Sequence, residues 1–249
     1  MKRFWVLMVS VLLITSCKSL STSAVLSTPN KAHSQLTLLD ESYLIDFKNE
    51  VDINRALKNG LTRSQVLARG GMNYLINGEY DKAQDAFNTA LSFDIDNGLL
   101  HFLNAATYHQ LYINGESDKF QLAEVGYKVA SVKESILIGP SALQLGRLYL
   151  DAKRYNDAEV HLEHAIREGN NTSEVIYDYV RATALNGSWS KSRSAMNHLT
   201  KRKWDNPLLI KAKAIYSASF LDREQAKKYA EAYASTDAPK EDVNYLNFR

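Results

Sequence analysis

The first sixteen positions follow a different hydrophobic rule from the rest of the chain. Met1-Lys2-Arg3 leads into an almost wholly apolar run from Phe4 to Ile14, and Thr15-Ser16 closes it before Cys17. Residues 17–35 are rich in Ser and Thr, with Pro29 and Asn30 near their middle. Such a stretch cannot bury enough apolar surface to offset the entropy of ordering it, so it reads as a flexible tether. Apolar positions return at helical spacing at Leu36, Leu39, Tyr43, Phe47 and Val51, and 36–63 is expected to form one or two helices. From residue 64 to residue 240 the pattern begins to repeat, and 241–249 remain as a C-terminal tail.

The repeat has a period of 34 residues. Gly78-Glu-Tyr80-Asp-Lys-Ala83-Gln-Asp-Ala-Phe87-Asn-Thr-Ala90 matches Lys153-Arg-Tyr155-Asn-Asp-Ala158-Glu-Val-His-Leu162-Glu-His-Ala165, and each follows a helix-like segment ending near a tyrosine, Tyr74 or Tyr149. This spacing of small and large apolar residues resembles the tetratricopeptide repeat. The resemblance implies two helices per unit, with small residues at positions 8, 20 and 27 where they cross closely. Larger apolar residues at 4, 7, 11 and 24 fill the remaining volume. With residue 64 as position 1, the first repeat supplies Leu67, Gly71, Tyr74, Ala83, Phe87 and Ala90; Gly70 departs at position 7, and Ile95 stands where proline is usual. A second repeat starts at Gly98 with Ala105 and Tyr108, but Ala123, Tyr127 and Ala130 fit only after an insertion around 114–119. The third starts at Gly139 (Ala142, Leu145, Gly146, Tyr149, Ala158, Leu162, Ala165), the fourth at Ser173 (Ile176, Tyr179, Ser192, Met196) and the fifth at Pro207 (Ile210, Ala214, Ala226, Ala230). The expected fold is all-α: a tetratricopeptide-type helical-hairpin solenoid of about five repeats, each stacking on its neighbour to bury an apolar face.

Composition agrees with a folded helical chain, at 45% hydrophobic and 23% charged residues with only four prolines. The formal charge of +2 is carried by Lys2 and Arg3; the remainder holds 28 basic and 28 acidic side chains. A neutral body lacks the sustained positive field of a phosphate-backbone binder, so no nucleic-acid partner is expected.

The N-terminal run is too short to span a bilayer, which needs about 20 apolar residues. Its basic start, apolar centre and small-residue exit describe a secretory signal peptide over 1–16. Leu13-Ile14-Thr15-Ser16-Cys17 resembles the bacterial lipobox, which implies cleavage before Cys17, a diacylglycerol on its sulfur and an N-acyl chain on its new amine. Two or three acyl chains suffice for stable anchoring at about 0.8 kcal/mol per buried CH₂. Cys17 is the chain's one cysteine, so no internal disulfide can form. Lys18, in place of an aspartate after the lipidated residue, fits lipid anchoring at the outer membrane with the body facing the periplasm.

No cofactor beyond this lipid is implied and no enzyme constellation is present: the chain holds no P-loop, no Gly-x-Ser-x-Gly elbow and no glycine-rich dinucleotide turn. Gly70-Gly71 is better read as a close helix crossing. His161 and His164 share a helical face, but a metal site needs further ligands, and these positions are expected on the solvated side of their helix. The family resemblance implies a concave face lined by first-helix positions 2, 5, 9, 12 and 13, which here include Phe102, His109, Leu143, Arg147, Tyr177 and Arg181. Arg147 and Arg181 occupy the same position in consecutive repeats. Side by side they could hold a carboxylate or an extended peptide; alternatively each forms a surface pair, for instance with Asp151 or Glu174.

Signal segment, lipobox, tether and repeats together resemble the small lipoproteins of pilus and secretion systems, of which the type IV pilus pilotins and the tetratricopeptide lipoproteins of tight-adherence pili are two kinds. The resemblance implies a protein-binding scaffold that assists a secretin or pilus assembly component. Adaptors for peptidoglycan hydrolases or proteases, and accessories of polysaccharide export, share the same outline.

Overall fold

The computed structural model describes residues 60–201, 207–220 and 223–235. The signal segment 1–16, Cys17 with the tether 17–35, nearly all of 36–63 and the tail 241–249 lie outside the described residues. Ten α-helices follow one another, with no strand among the described residues: α1 (Arg63–Ile76), α2 (Tyr80–Phe93), α3 (Gly98–Ile113), α4 (Lys119–Lys133), α5 (Ile138–Asp151), α6 (Tyr155–Arg167), α7 (Ser173–Leu185), α8 (Trp189–Lys201), α9 (Pro207–Ser219) and α10 (Arg223–Ala234). They pair into five consecutive hairpins whose first helices begin within one residue of the expected repeat starts. The chain divides into two compact units, Met1–Ser141 and Ala142–Arg249.

In the first unit, Thr62 caps α1 through a reciprocal pair: its hydroxyl accepts from the Gln65 amide (3.2 Å), and the Gln65 side chain accepts from the Thr62 amide (3.0 Å). α1 and α2 cross with almost no room between them, since a methyl group at Gly71 would meet the Phe87 ring at 2.8 Å. Phe87, Ala83 and Ala90 are fully buried as a result. The second hairpin obtains the same closeness from the opposite helix: Ala105 stands at the small site of α3, and Gly126 of α4 faces it, where an added methyl would lie 2.8 Å from the Ala105 Cβ. The expected insertion is shared between α3, which runs three residues further along its register than α1, and the α3–α4 connection 114–118, five residues long against three at 77–79, 152–154 and 186–188. Glu134, after α4, accepts from the Gly98 amide at the start of α3 (2.9 Å) and ties the two ends together.

In the second unit the helix starts fall 34 residues apart, at Ser173 and Pro207 for α7 and α9 and at Tyr155, Trp189 and Arg223 for α6, α8 and α10. Gly146 of α5 packs against Leu162 of α6 so tightly that a methyl group there would sit 2.5 Å from the Leu162 Cγ. Beyond the crossing, the chain leaves α5 through a Schellman turn: the Arg154 amide donates to the Tyr149 carbonyl (2.8 Å) and the Lys153 amide to the Leu150 carbonyl (3.0 Å). Lys153 therefore adopts a left-handed φ of 59°, at the register where the first and fourth hairpins place Gly78 (75°) and Gly187 (77°). That conformation opposes a side chain with a β-carbon, so the packing of α5 on α6 imposes it.

The Gly146→Ala substitution should cost about 1–3 kcal/mol by overpacking. Combined with Leu162→Ala it should cost less than the two single changes summed, because the atoms that the new methyl strikes are gone. A double-mutant cycle by urea denaturation reads the coupling, and strict additivity would contradict the crossing geometry.

Candidate functional site

The first helices of the hairpins carry the six side chains singled out from the repeat register. In the first unit, Phe102 and His109 lie on α3 and are both buried. Phe102 meets Tyr127 of α4 edge-on, with ring centroids 5.4 Å apart. The Tyr127 hydroxyl lies 3.4 Å from His109 Nδ1. Tyr127 is the large residue at position 24 of its hairpin, so these two side chains belong to the closure of α3 on α4.

In the second unit, Leu143 and Arg147 on α5 and Tyr177 on α7 are buried, while Arg181 on α7 is half-buried. Arg147 is only 4% exposed. Its Nε donates to Asp178 Oδ2 at 2.7 Å, one turn beyond the Glu174 suggested by sequence. Tyr177 is covered by Lys211 of α9, whose Nζ lies 5.3 Å from the ring centroid; Lys211 is 6% exposed. Leu143, Tyr177 and Lys211 occupy position 5 of three consecutive repeats. Asp178 and Lys211 were not named from the sequence, although adding one period of 34 to Tyr177 arrives at Lys211. A desolvated ion pair is weak evidence of net stability, but removing one partner strands the other.

A second charged cluster joins the third and fourth hairpins from the other side of the register. Glu159 of α6 is buried, and its carboxylate accepts from Asn186 Nδ2 (2.8 Å), Ser188 Oγ (2.6 Å) and Lys191 Nζ (2.8 Å). Lys191 also reaches Glu163 at 2.9 Å. Burial alone would raise the Glu159 pKa, but the hydrogen bonds from Lys191, Ser188 and Asn186 outweigh it and hold the carboxyl below its ordinary range. The bonds from Glu159 and Glu163 raise Lys191 in turn. Burial first, and then the Glu163 carboxylate, push the nearby Tyr179 up to about 12.

His161 is half-buried rather than fully solvated, stacked on the Tyr149 ring with centroids 5.2 Å apart. His164 Nε2 lies 3.5 Å from Glu168. Among the described residues no group of three or more His, Cys, Asp or Glu is arranged to hold a metal, and no helix is long and apolar enough to cross a membrane.

Paired helices, small-residue crossings and the 34-residue register define a tetratricopeptide-type array of helical hairpins. Three solved structures share this fold. Pseudomonas aeruginosa pilF matches with a TM-score of 0.61 at 16% identity, over 86% of this chain and 93% of its own. YrrB, described as a tetratricopeptide protein with an unusual peptide-binding site, matches at 0.57 and 13% identity, over 78% of this chain and 96% of its own. A tetratricopeptide protein from Parabacteroides merdae matches at 0.54 and 14% identity, over 98% of this chain and 97% of its own. No family model matches the sequence, and no curated protein does so significantly.

Asp178→Ala should destabilise the protein by about 3–5 kcal/mol, because the buried Arg147 loses the carboxylate to which its Nε donates. An Arg147→Met, Asp178→Leu double variant should recover most of the loss, and chemical denaturation separates the two outcomes. Glu159 contributes stability that is present above its unfolded pKa, near 4.5, and lost as the pH falls through its depressed folded value. The stability gap between wild type and Glu159→Gln should therefore be constant above about pH 4.5 and close below it; a gap independent of pH would refute the network's role.

Proposed function

We propose that this chain is a membrane-anchored periplasmic scaffold that binds protein partners and assists assembly of a pilus or secretin-type secretion complex. One observation carries the reading: a signal-like segment ending at the single cysteine, then a polar stretch, then five tetratricopeptide-type hairpins, all in one chain. Lipid at Cys17 would fix the hairpins to the outer membrane, and a partner held by them would gain effective concentration there without any new contact to the bilayer. The likeness of fold to Pseudomonas aeruginosa pilF supports the array of hairpins on which this reading stands. The peptide-binding site named for YrrB supports protein recognition by the hairpins. The recognition surface does not have to be the first-helix face, because Phe102, His109, Leu143, Arg147 and Tyr177 are largely committed to internal packing.

Cys17→Ser should abolish incorporation of labelled palmitate and move the protein from the membrane to the soluble periplasmic fraction, while its circular dichroism and melting stay unchanged. A Cys17→Ser protein that stays firmly membrane-bound and active would defeat the anchor. Crosslinking from membranes should recover a secretin or pilus assembly component. Recovery of murein hydrolases with no secretin would replace the pilus branch by the hydrolase-adaptor one.

A further inference from the structure

The fifth hairpin departs from the others in a way that the closure of its helices does not require. At position 10 the first four hairpins carry Asn73, Thr107, Leu148 and Ala182, and the fifth carries Tyr216. At position 14 it has Phe220, where the first and fourth have the helix-ending Asn77 and Asn186. At position 23, Ala86, Ala195 and, in the displaced second helix, Gly126 are small, and the third hairpin has His161 stacked on Tyr149; the fifth hairpin has Tyr229 there. These three rings are half-buried: each packs against the core of the second unit and leaves part of its surface uncovered. With Trp189, which opens α8 and is 47% exposed, they wall a cleft of about 350 Å³ whose polar lining includes Lys213 and Gln225.

The cleft combines an aromatic wall with positive charge. Tyr216 and Phe220 meet at 5.0 Å with their planes tilted by 58°. Lys213 Nζ stands 5.6 Å from the Tyr229 ring centroid, and the Arg193 guanidinium 5.1 Å from the Trp189 ring. Across α8, α9 and α10 the sequence has eight Lys or Arg against two Glu, although the body of the chain is neutral. Lys191 is neutralised by Glu159 and Glu163, and Lys227 lies 3.9 Å from Glu231. No carboxylate among the described residues pairs with Lys213 or Arg193. Trp189 opens α8 and Gln225 lies in the first turn of α10, but Glu224 shares that turn and the C-terminal end of α9 also borders the cleft, so the positive charge there is that of Lys213 and Arg193 and not of helix dipoles.

From this charge complementarity we propose that the cleft is a docking site for an acidic peptide segment of a protein partner carrying one aromatic or leucine side chain. The apolar side chain enters between Trp189, Tyr216, Phe220 and Tyr229, and flanking carboxylates pair with Lys213 and Arg193. The volume suits one or two side chains in a concavity that sets rings beside the polar groups of Lys213, Ser217 and Gln225. Acidic partners gain both affinity and association rate from an unpaired positive field. A nucleic-acid strand fits less well, because successive bases need a basic track with stacking platforms along it, whereas these rings close on a single concavity. The site lies on second-helix and late first-helix positions, away from the expected groove. It adds a partner chemistry to the scaffold reading, and binding in solution needs no membrane or pilus component, so losing the cleft leaves the anchoring experiment to judge the scaffold.

The test uses the full chain in detergent and a fluorescein-labelled peptide of sequence Gly-Asp-Glu-Leu-Phe-Asp-Glu-Gly, followed by anisotropy. Saturable binding that weakens with added salt is expected. Lys213→Glu, Arg193→Glu and Trp189→Ala should each weaken it by about tenfold or more, as central charged and aromatic anchors do. A peptide with Lys in place of the acids, or Ala in place of Leu-Phe, should not bind. Arg193 is exposed, so Arg193→Glu decides the matter even if Lys213→Glu disturbs the helix signal. No binding, equal binding by the variants, equal binding of the lysine peptide, or tighter binding of an oligo-dT strand would each overturn the proposal.

Discussion

Everything in this molecule depends on how closely the two helices of a hairpin approach each other. The contact is one of bare backbone against a side chain: Gly71 under the Phe87 ring, Gly146 under Leu162. Once the helices are this close, the three-residue connection between them has few conformations left. The left-handed φ of Lys153 shows which side of the bargain is dominant, since a residue with a β-carbon accepts the strained turn to preserve the crossing. The second hairpin keeps the closeness by moving the small residue to the other helix, with Gly126 set against Ala105, and there the connection is longer. What is constant is the space, not the residue that provides it.

Within that frame, charge is distributed unevenly for a chain whose body is neutral. The buried pair of Arg147 with Asp178, and that of Glu159 with the exposed Lys191, neutralise charge between hairpins and add little net stability. The last three helices instead carry an excess of cations, Lys213 and Arg193 among them, beside the rings of Trp189 and Tyr229. Net charge alone conceals this separation, which is why neutrality excludes a uniformly basic surface but not a locally basic cleft.

The start of every first helix was legible because small residues at fixed spacing have a steric cause: Arg63, Gly98, Ile138, Ser173 and Pro207 begin helices where the 34-residue register puts them. The displaced second helix of the second repeat was also legible, as an insertion. Contacts between hairpins were harder to read. A register gives a residue's position within its own hairpin but not the offset between neighbours, so the spacing suggested Asp151 or Glu174 and did not name Asp178, to which Arg147 Nε donates. Depth was equally hidden: Phe102 and His109 stand at positions 5 and 12, which are buried in the other repeats as well, at Ala68, Leu143 and Tyr177 and at Leu75, Leu150 and Ala184, and a register alone does not give that depth. The aromatic cleft could have been seen by aligning positions 10, 14 and 23, where the fifth repeat alone places three large rings together, Tyr216, Phe220 and Tyr229. Cys17 lies outside the described residues, and its reading rests on the sequence around it.

The two ion-pair networks have one more consequence. A chain of stacked hairpins ordinarily frays from its ends, each unit opening with only the loss of its nearest-neighbour contacts. Arg147–Asp178 and Glu159–Lys191 fasten the third hairpin to the fourth at two separate points. Opening either hairpin alone breaks both networks at once, so the two are expected to exchange their amide hydrogens together. Unravelling from the fifth hairpin inward is then expected to pause at this doubly fastened pair.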